Sequence, residues 1–319
     1  MVVLTLEVTE STEIDLIWGC DAERQLEVDW LVELLSPLQP YWIAANETLN
    51  PDDLTEGRPR VLIETGLLLL ERNASDERKQ ILQQQRIQRL AALSSKGPFT
   101  LIHISDEEGL DGDQLYGMLP EATTIWRNFP YERFDQASFI HHFPIGPRKE
   151  FLELRTCKPA SGRTTPWAFM GTLWRTGNRT LATSIFLREH PSGEFFGGQF
   201  FGRGLPIEQY RDRMQNSIFA LCPEGDRHFD TFRLYESLQA GCIPLVVERD
   251  GQALRLLGPQ FPIPIFENWK LASQFVANHL RRPDQLNAVQ HQCQRWWSAT
   301  KSTISIELRE GLQDTKSSG

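Results

Sequence analysis

The chain has 319 residues, 40% hydrophobic and 24% charged, an ordinary composition for a folded protein and enough length for two cores. Its 33 Lys and Arg against 42 Asp and Glu leave a net charge of −9, which repels polyphosphate backbones and excludes nucleic acid as an expected partner. No run approaches the roughly 18 apolar residues of a membrane span, and residues 1–10 lack a basic leader. The expectation is a cytoplasmic chain without a membrane span, with peripheral membrane association left open.

In chain order, short apolar runs at 14–18, 41–44, 61–63 and 99–103 read as buried strands. Helical spacing covers 23–35 and a long polar stretch at 76–93, and two further short strands are expected at 123–126 and 138–143. Strand–helix alternation of this kind predicts a parallel sheet with helices on both faces. Between residues 147 and 166 the composition turns to Lys, Arg, Pro, Gly and Ser with little periodicity, which marks a linker. Alternation resumes with strands at 167–170 and 195–201 and helices at 179–189 and 207–215. A strand–loop–helix–strand unit follows at 217–247, then helices at 252–257, 268–280 and 283–312. The expected domains are 1–150, 151–282, and a C-terminal helix over 283–319.

The segment 219–247 carries the strongest chemistry. Arg233 and Glu236 stand three residues apart on a short helix and so share one face. A helix N-terminus with an arginine beside it suits a phosphate, and a carboxylate one turn on suits ribose hydroxyls. Thr231 offers a hydroxyl and an N-cap at once. Spacing alone equally fits a solvated helical ion pair, and in either case Arg233 is expected to face solvent. Upstream, residues 169–179 form a strand, a glycine loop and a helix start; alone they read as an ordinary strand–helix turn with surface arginines, but beside the Arg233 helix they place Gly171 and Arg175 to approach a diphosphate. Asp106, Glu107 and Glu108 follow the expected strand at 99–103, where catalytic groups collect on parallel sheets. An acidic helix start that satisfies the dipole is the competing reading.

Other clusters carry less. His141 and His142 are neighbours on a strand and point to opposite faces, so one buried and one exposed histidine is expected rather than a chelate. Asp111-Gly112-Asp113 lies in a polar stretch without a flanking apolar strand and reads as a turn. Cys20, Cys157, Cys222, Cys242 and Cys293 are odd in number and scattered, which argues against a disulfide framework or a zinc site.

The 219–247 segment closely resembles the nucleotide-sugar-binding motif of exostosin-like (family 47-type) glycosyltransferases. The matching residues are Pro223, Gly225, Arg233, Leu234, Glu236, Ala240, Gly241, Cys242, Ile243 and Pro244, with Glu224 standing where the family usually has arginine. Residues 169–175 are similar to the family's Phe-x-Gly loop with its downstream arginine. The 102–107 run, with Arg127-Asn128 and 143–146, is more loosely similar to its N-terminal segment. The resemblance implies two Rossmann-like parallel-sheet domains facing a cleft, of the GT-B type, with the donor nucleotide held by the C-terminal one and the last helix crossing back, where Trp296-Trp297 would pack it. It implies an inverting transfer from a nucleoside-diphosphate sugar, uridine-linked as first choice, to a hydroxyl of a glycan or polysaccharide acceptor. Donor contacts would come from Gly171, Arg175, Pro223, Gly225, Thr231, Arg233 and Glu236. Asp106 or Glu107 would be the base, the shorter Asp106 being favoured. No carboxylate pair here has the strand context of a metal-bridging motif, so no metal or other cofactor is expected. The alternative is a catalytically inactive nucleotide-sugar- or glycan-binding protein on the same fold.

Overall fold

The computed structural model describes residues 13–66, 75–151, 157–174, 177–198 and 204–317. The chain divides into two compact units, Met1–Phe143 with Ser302–Gly319, and Pro144–Lys301.

Unit 1 is built on β1 (Ile14–Trp18), β2 (Pro40–Ala44), β3 (Arg60–Thr65), β4 (Thr100–Ile104), β5 (Thr124–Arg127) and β6 (Ile140–His142). They form one sheet in the order β2-β1-β3-β4-β5-β6, every pair parallel. Every residue of β1, β3 and β4 is buried, as expected of central parallel strands covered on both faces. The edge strand β2 leaves Tyr41 and Trp42 exposed, and Trp42 stacks on Trp18 at 5.2 Å. The helices are α1 (Val28–Leu35), α2 (Asp76–Ser94), α3 (Leu110–Tyr116) and the single turn α4 (Glu132–Asp135). The Ser75 hydroxyl starts α2 by accepting the Arg78 N–H at 3.2 Å. The inner face of α2 is Arg86, Arg89, Leu90 and Leu93, a 3–4-residue spacing of which half is charged. Asp111-Gly112-Asp113, expected as a turn, instead lies in the first turn of α3. His141 is exposed and stacks on Trp126 at 4.8 Å, while His142 is half-buried beside Asp135 at 3.1 Å, so neither is the fully buried histidine expected.

Unit 2 contains β7 (Thr165–Thr172), β8 (Glu194–Gly198), β9 (Ser217–Leu221) and β10 (Ile243–Leu245), again all parallel, in the order β10-β9-β7-β8. Its helices are α5 (Asn178–Glu189), α6 (Ile207–Asn216), α7 (Phe232–Gln239), α8 (Gln252–Leu257), α9 (Trp269–Leu280) and α10 (Pro283–Ser317). Trp167, Phe186, Phe219 and Trp269 anchor the core, with the Trp167 indole N–H donating to the His190 carbonyl at 2.8 Å. Helix α7 stops at Gly241, whose φ of 66° is left-handed and whose Cα faces the Cys157 sulfur so closely that an added Cβ would lie 2.1 Å from it. Helix α10 begins in unit 2 and its last residues group with unit 1, where the Ser305 hydroxyl donates to the Leu34 carbonyl at 2.8 Å. Trp296 packs against Phe261 at 4.9 Å and Trp297 against Tyr235 at 5.3 Å, contacts within unit 2. Among the described residues no helix is long and apolar enough to cross a membrane.

Candidate functional site

In a doubly wound parallel sheet, ligands bind beyond the carboxyl ends of the strands where the strand order reverses. In unit 2 the chain runs β7 to β8 in one direction and then returns to β9 on the other side, so the reversal lies between β7 and β9. Gly171 closes β7, and Pro223 and Gly225 open the loop after β9, so three of the expected donor residues meet at this point. Arg233 joins them from the first turn of α7. Its Nε donates to the Met170 carbonyl at 3.1 Å, and its guanidinium lies over the Phe169 ring at 4.5 Å. Gly171 is required for this approach, since a Cβ there would sit 2.0 Å from Nη2 of Arg233.

The structure corrects the expectation that Arg233 faces solvent. The residue is 7% exposed, and its Nη1 is buried without a hydrogen-bond partner. Among the described residues no carboxylate lies within ion-pair distance of it, so the solvated pair with Glu236 is also absent. Glu236 is buried and held elsewhere: Oε2 accepts the Tyr210 hydroxyl at 2.5 Å, and Oε1 lies 2.8 Å from Nε of Arg148. Burial, with Glu236 beside it, drives the Tyr210 hydroxyl well above its ordinary pKa, so it stays a donor. Thr231 stands at the N-cap of α7, but its side chain makes no capping bond. Arg175 lies outside the described residues.

The loop between β9 and α7 is fixed by other groups. The Gly225 N–H donates to the His228 carbonyl at 2.8 Å. Asp230 accepts the Ile145 N–H at 2.9 Å and the Tyr235 hydroxyl at 2.6 Å. Arg179 bridges the two strand ends, donating to the carbonyls of Thr172 at 2.7 Å and Glu224 at 2.9 Å. The Glu224 carboxylate accepts from Asn178 and lies 3.8 Å from Arg249, so the residue in the family's arginine position ties the loop to α5.

In unit 1, Asp106 does follow β4, but its geometry is that of a helix cap rather than a base. Its two oxygens accept the N–H groups of Asp111 at 3.2 Å and Gly112 at 3.0 Å, and Nη2 of Arg127 reaches Oδ2 at 3.2 Å. With 4% exposure and both oxygens already accepting hydrogen bonds, Asp106 is less available to an acceptor hydroxyl than its place after β4 suggests. The acidic helix start, the competing reading of this run, describes Asp106. Glu107 is half-buried, and its carbonyl accepts the Tyr131 hydroxyl.

Composition and spacing give no sign of the charge network behind this sheet end. Glu64 accepts from Arg86 at 3.3 Å and from Arg89 at 2.8 and 2.5 Å, while Arg86 also donates to both Asp111 oxygens at 2.9 Å. Burial pushes the Asp111 carboxyl up, but the His103 hydrogen bond at 3.1 Å and the Arg86 charge outweigh it and hold the pKa at about 2. Glu27 is different: burial raises its carboxyl, and the Ser105 hydroxyl, donating at 2.9 Å, only partly opposes that. Sequence reasoning also missed Arg148, which lies in the Lys/Pro-rich stretch read as a linker, and Tyr210, the one aromatic of α6.

In unit 2 a buried, uncompensated arginine stands at the strand-order reversal, the place where parallel α/β sheets bind their ligands. The Exostosin GT47 domain model matches residues 125–288, just over half of the chain, and the chain belongs to this glycosyltransferase family. Among solved structures, one similar chain is the crystal structure of an alpha1,3-fucosyltransferase, 9% identical with a TM-score of 0.47, covering 91% of this chain and 84% of that one. A search of curated proteins finds no match.

Proposed function

We propose that the protein is an inverting, metal-independent glycosyltransferase that moves a sugar from a nucleoside-diphosphate donor, uridine-linked as first candidate, to a hydroxyl of a glycan or polysaccharide. The observation that carries this reading is the Nη1 of Arg233, a charged donor kept dry with no partner at the strand-order reversal of unit 2. A buried unsatisfied donor is costly and is retained where a ligand completes it. A diphosphate oxygen does so with the geometry a guanidinium favours. Gly171, Pro223 and Gly225 keep the neighbouring backbone free of bulky side chains, and Glu236 is the acceptor for ribose hydroxyls.

In the reaction, a base takes the proton from the acceptor hydroxyl and its oxygen attacks the anomeric carbon. The bond from that carbon to the diphosphate breaks, and the leaving group departs with the electron pair. Arg233 stabilises the charge that builds on the diphosphate. With Asp106 engaged in capping, Glu107 is the member of the predicted pair left for the base, tested by the loss of turnover in Glu107→Gln at unchanged donor binding. Cytoplasmic synthesis of a surface polysaccharide belongs to the same proposal, supported by five free cysteines, four of them buried, as a reducing compartment favours. The test is a thermal-shift screen of nucleoside diphosphates followed by turnover with the matching sugar donors. Ligand at a hundredfold its Kd adds about 2.7 kcal/mol of stability. Binding without release of nucleoside diphosphate would favour the inactive binding protein, a reading that Glu224 in the arginine position supports. No stabilisation by any nucleotide would overturn both.

A further inference from the structure

Arg148 and Glu236 are unequal partners. The Arg148 side chain is 33% exposed and that of Glu236 3%, so the arginine lies on the solvent side and covers the carboxylate. Their closest approach is 2.8 Å, but the angles do not make a hydrogen bond. The contact is therefore a charge contact without the alignment that gives such pairs their strength. The other carboxylate oxygen, by contrast, is firmly held by the Tyr210 hydroxyl at 2.5 Å, and the Arg148 guanidinium rests over the Tyr210 ring at 4.6 Å. Tyr210 thus fixes Glu236 from within while Arg148 shields it from outside.

We propose that Arg148 is a donor-binding residue that switches anions: it covers Glu236 in the empty site and moves to the donor's diphosphate when the site fills, uncovering Glu236 for the ribose. This rests on the nucleotide-binding reading above and adds a residue and an order of events to it. The charges favour such an exchange. Among the described residues Glu236 is the carboxylate within ion-pair distance of Arg148 and none is within that distance of Arg233, so two guanidinium groups stand against one carboxylate, and a diphosphate brings at least two negative charges. A guanidinium resting on an aromatic face can pivot without leaving its support. The exchange also makes the two halves of the donor interdependent. A nucleoside without phosphate has to displace Arg148 and gives it nothing in return. A nucleoside diphosphate offers it a better anion.

The experiment compares the four ribonucleosides with their diphosphates by calorimetry on wild type and Arg148→Ala. Wild type binds its preferred diphosphate far more tightly than the nucleoside. In Arg148→Ala the diphosphate is expected to weaken about tenfold or more, the loss of one charge-assisted contact. The nucleoside should bind at least as tightly as to wild type, because Glu236 is already uncovered. Arg148→Lys, which keeps the charge, should recover part of the diphosphate affinity and reads the same question if the alanine variant does not fold. Equal weakening of nucleoside and diphosphate overturns the switch, and so does no change in either. A wild-type protein that binds no nucleoside diphosphate overturns the nucleotide-site reading and the switch with it, whereas wild-type binding with unchanged variants overturns the switch alone.

Discussion

Arg233→Met separates the ligand role of the residue from its place in the fold. Methionine roughly preserves the volume beside Phe169 and Gly171, so the cavity term is small. The fold loses the bond to Met170 at 3.1 Å and the stacking on Phe169 at 4.5 Å. Those contacts are worth about 1.5–3 and about 0.5–2 kcal/mol. It also sheds a buried donor without a partner, whose burial costs about 1–3 kcal/mol, so the net loss of stability should centre near about 1.5 kcal/mol and not exceed about 4 kcal/mol. Binding has no such offset. Each charge-assisted bond to the diphosphate is worth about 1.5–3 kcal/mol, so affinity should fall roughly ten- to a hundredfold or more. Urea denaturation reads the first quantity and calorimetric titration with a nucleoside diphosphate the second. Gly171→Ala should mimic the binding defect by pushing the guanidinium aside, and the double variant should be no worse than Arg233→Met, because both act through one group. A folded Arg233→Met protein with wild-type affinity would refute the site.

Asp106→Asn should destabilise unit 1 by about 1–3 kcal/mol through the loss of a charged cap and of the counter-ion of Arg127, with near-normal turnover per folded molecule. A hundredfold loss of turnover at unchanged thermal stability would return it to the role of base. Glu27 has a folded pKa raised above the 4.5 of an ordinary carboxyl, so its protonated form favours folding below that value and the benefit is lost as pH rises. Glu27→Gln should therefore gain stability over wild type in urea titrations at pH 7 and gain little at pH 4, and an equal gain at both would show that charge is not the cause. Turnover should survive a chelator, and activity lost to it and restored by manganese would refute the metal-free mechanism.

The apolar runs located all six strands of unit 1 to within a residue or two, and β1, β3 and β4 stood out because central parallel strands are buried on both faces and so are mostly apolar. Charged residues misled where the fold buries them. Arg86 and Arg89 on a Gln-rich helix look like a solvated face, yet they lie under 4% exposed against Glu64. The partner that neutralises them is 22 to 25 residues away in sequence, and local spacing carries no record of it. Arg233 was misplaced for the same reason: its position in the motif is local, but its burial is set by Phe169 and Gly171 more than 60 residues upstream. Asp106 shows another kind of ambiguity. A carboxylate after a parallel strand can receive a substrate or a helix, and local spacing does not show that Asp106 accepts the N–H groups of Asp111 and Gly112.

The two units pose the same topological question and answer it with opposite chemistry. In unit 1 the strand order reverses between β1 and β3, and the side chains there are charged and self-sufficient. Glu64 at the end of β3 meets Arg86 and Arg89, every guanidinium nitrogen of those arginines donates to a protein oxygen, and a Cβ at Gly19 beyond β1 would fall 2.4 Å from Glu64. An anion arriving there would compete with carboxylates already in place, and breaking one partner out of a buried pair costs about 3–5 kcal/mol. In unit 2 the corresponding point holds Arg233 with no carboxylate beside it and one nitrogen unpaired. Net charge does not distinguish the two places, since both collect arginines on an acidic protein. What distinguishes them is whether the charge is already satisfied. That contrast is why we propose the nucleotide site in unit 2, while the matching point of unit 1 is held shut by its own ion pairs.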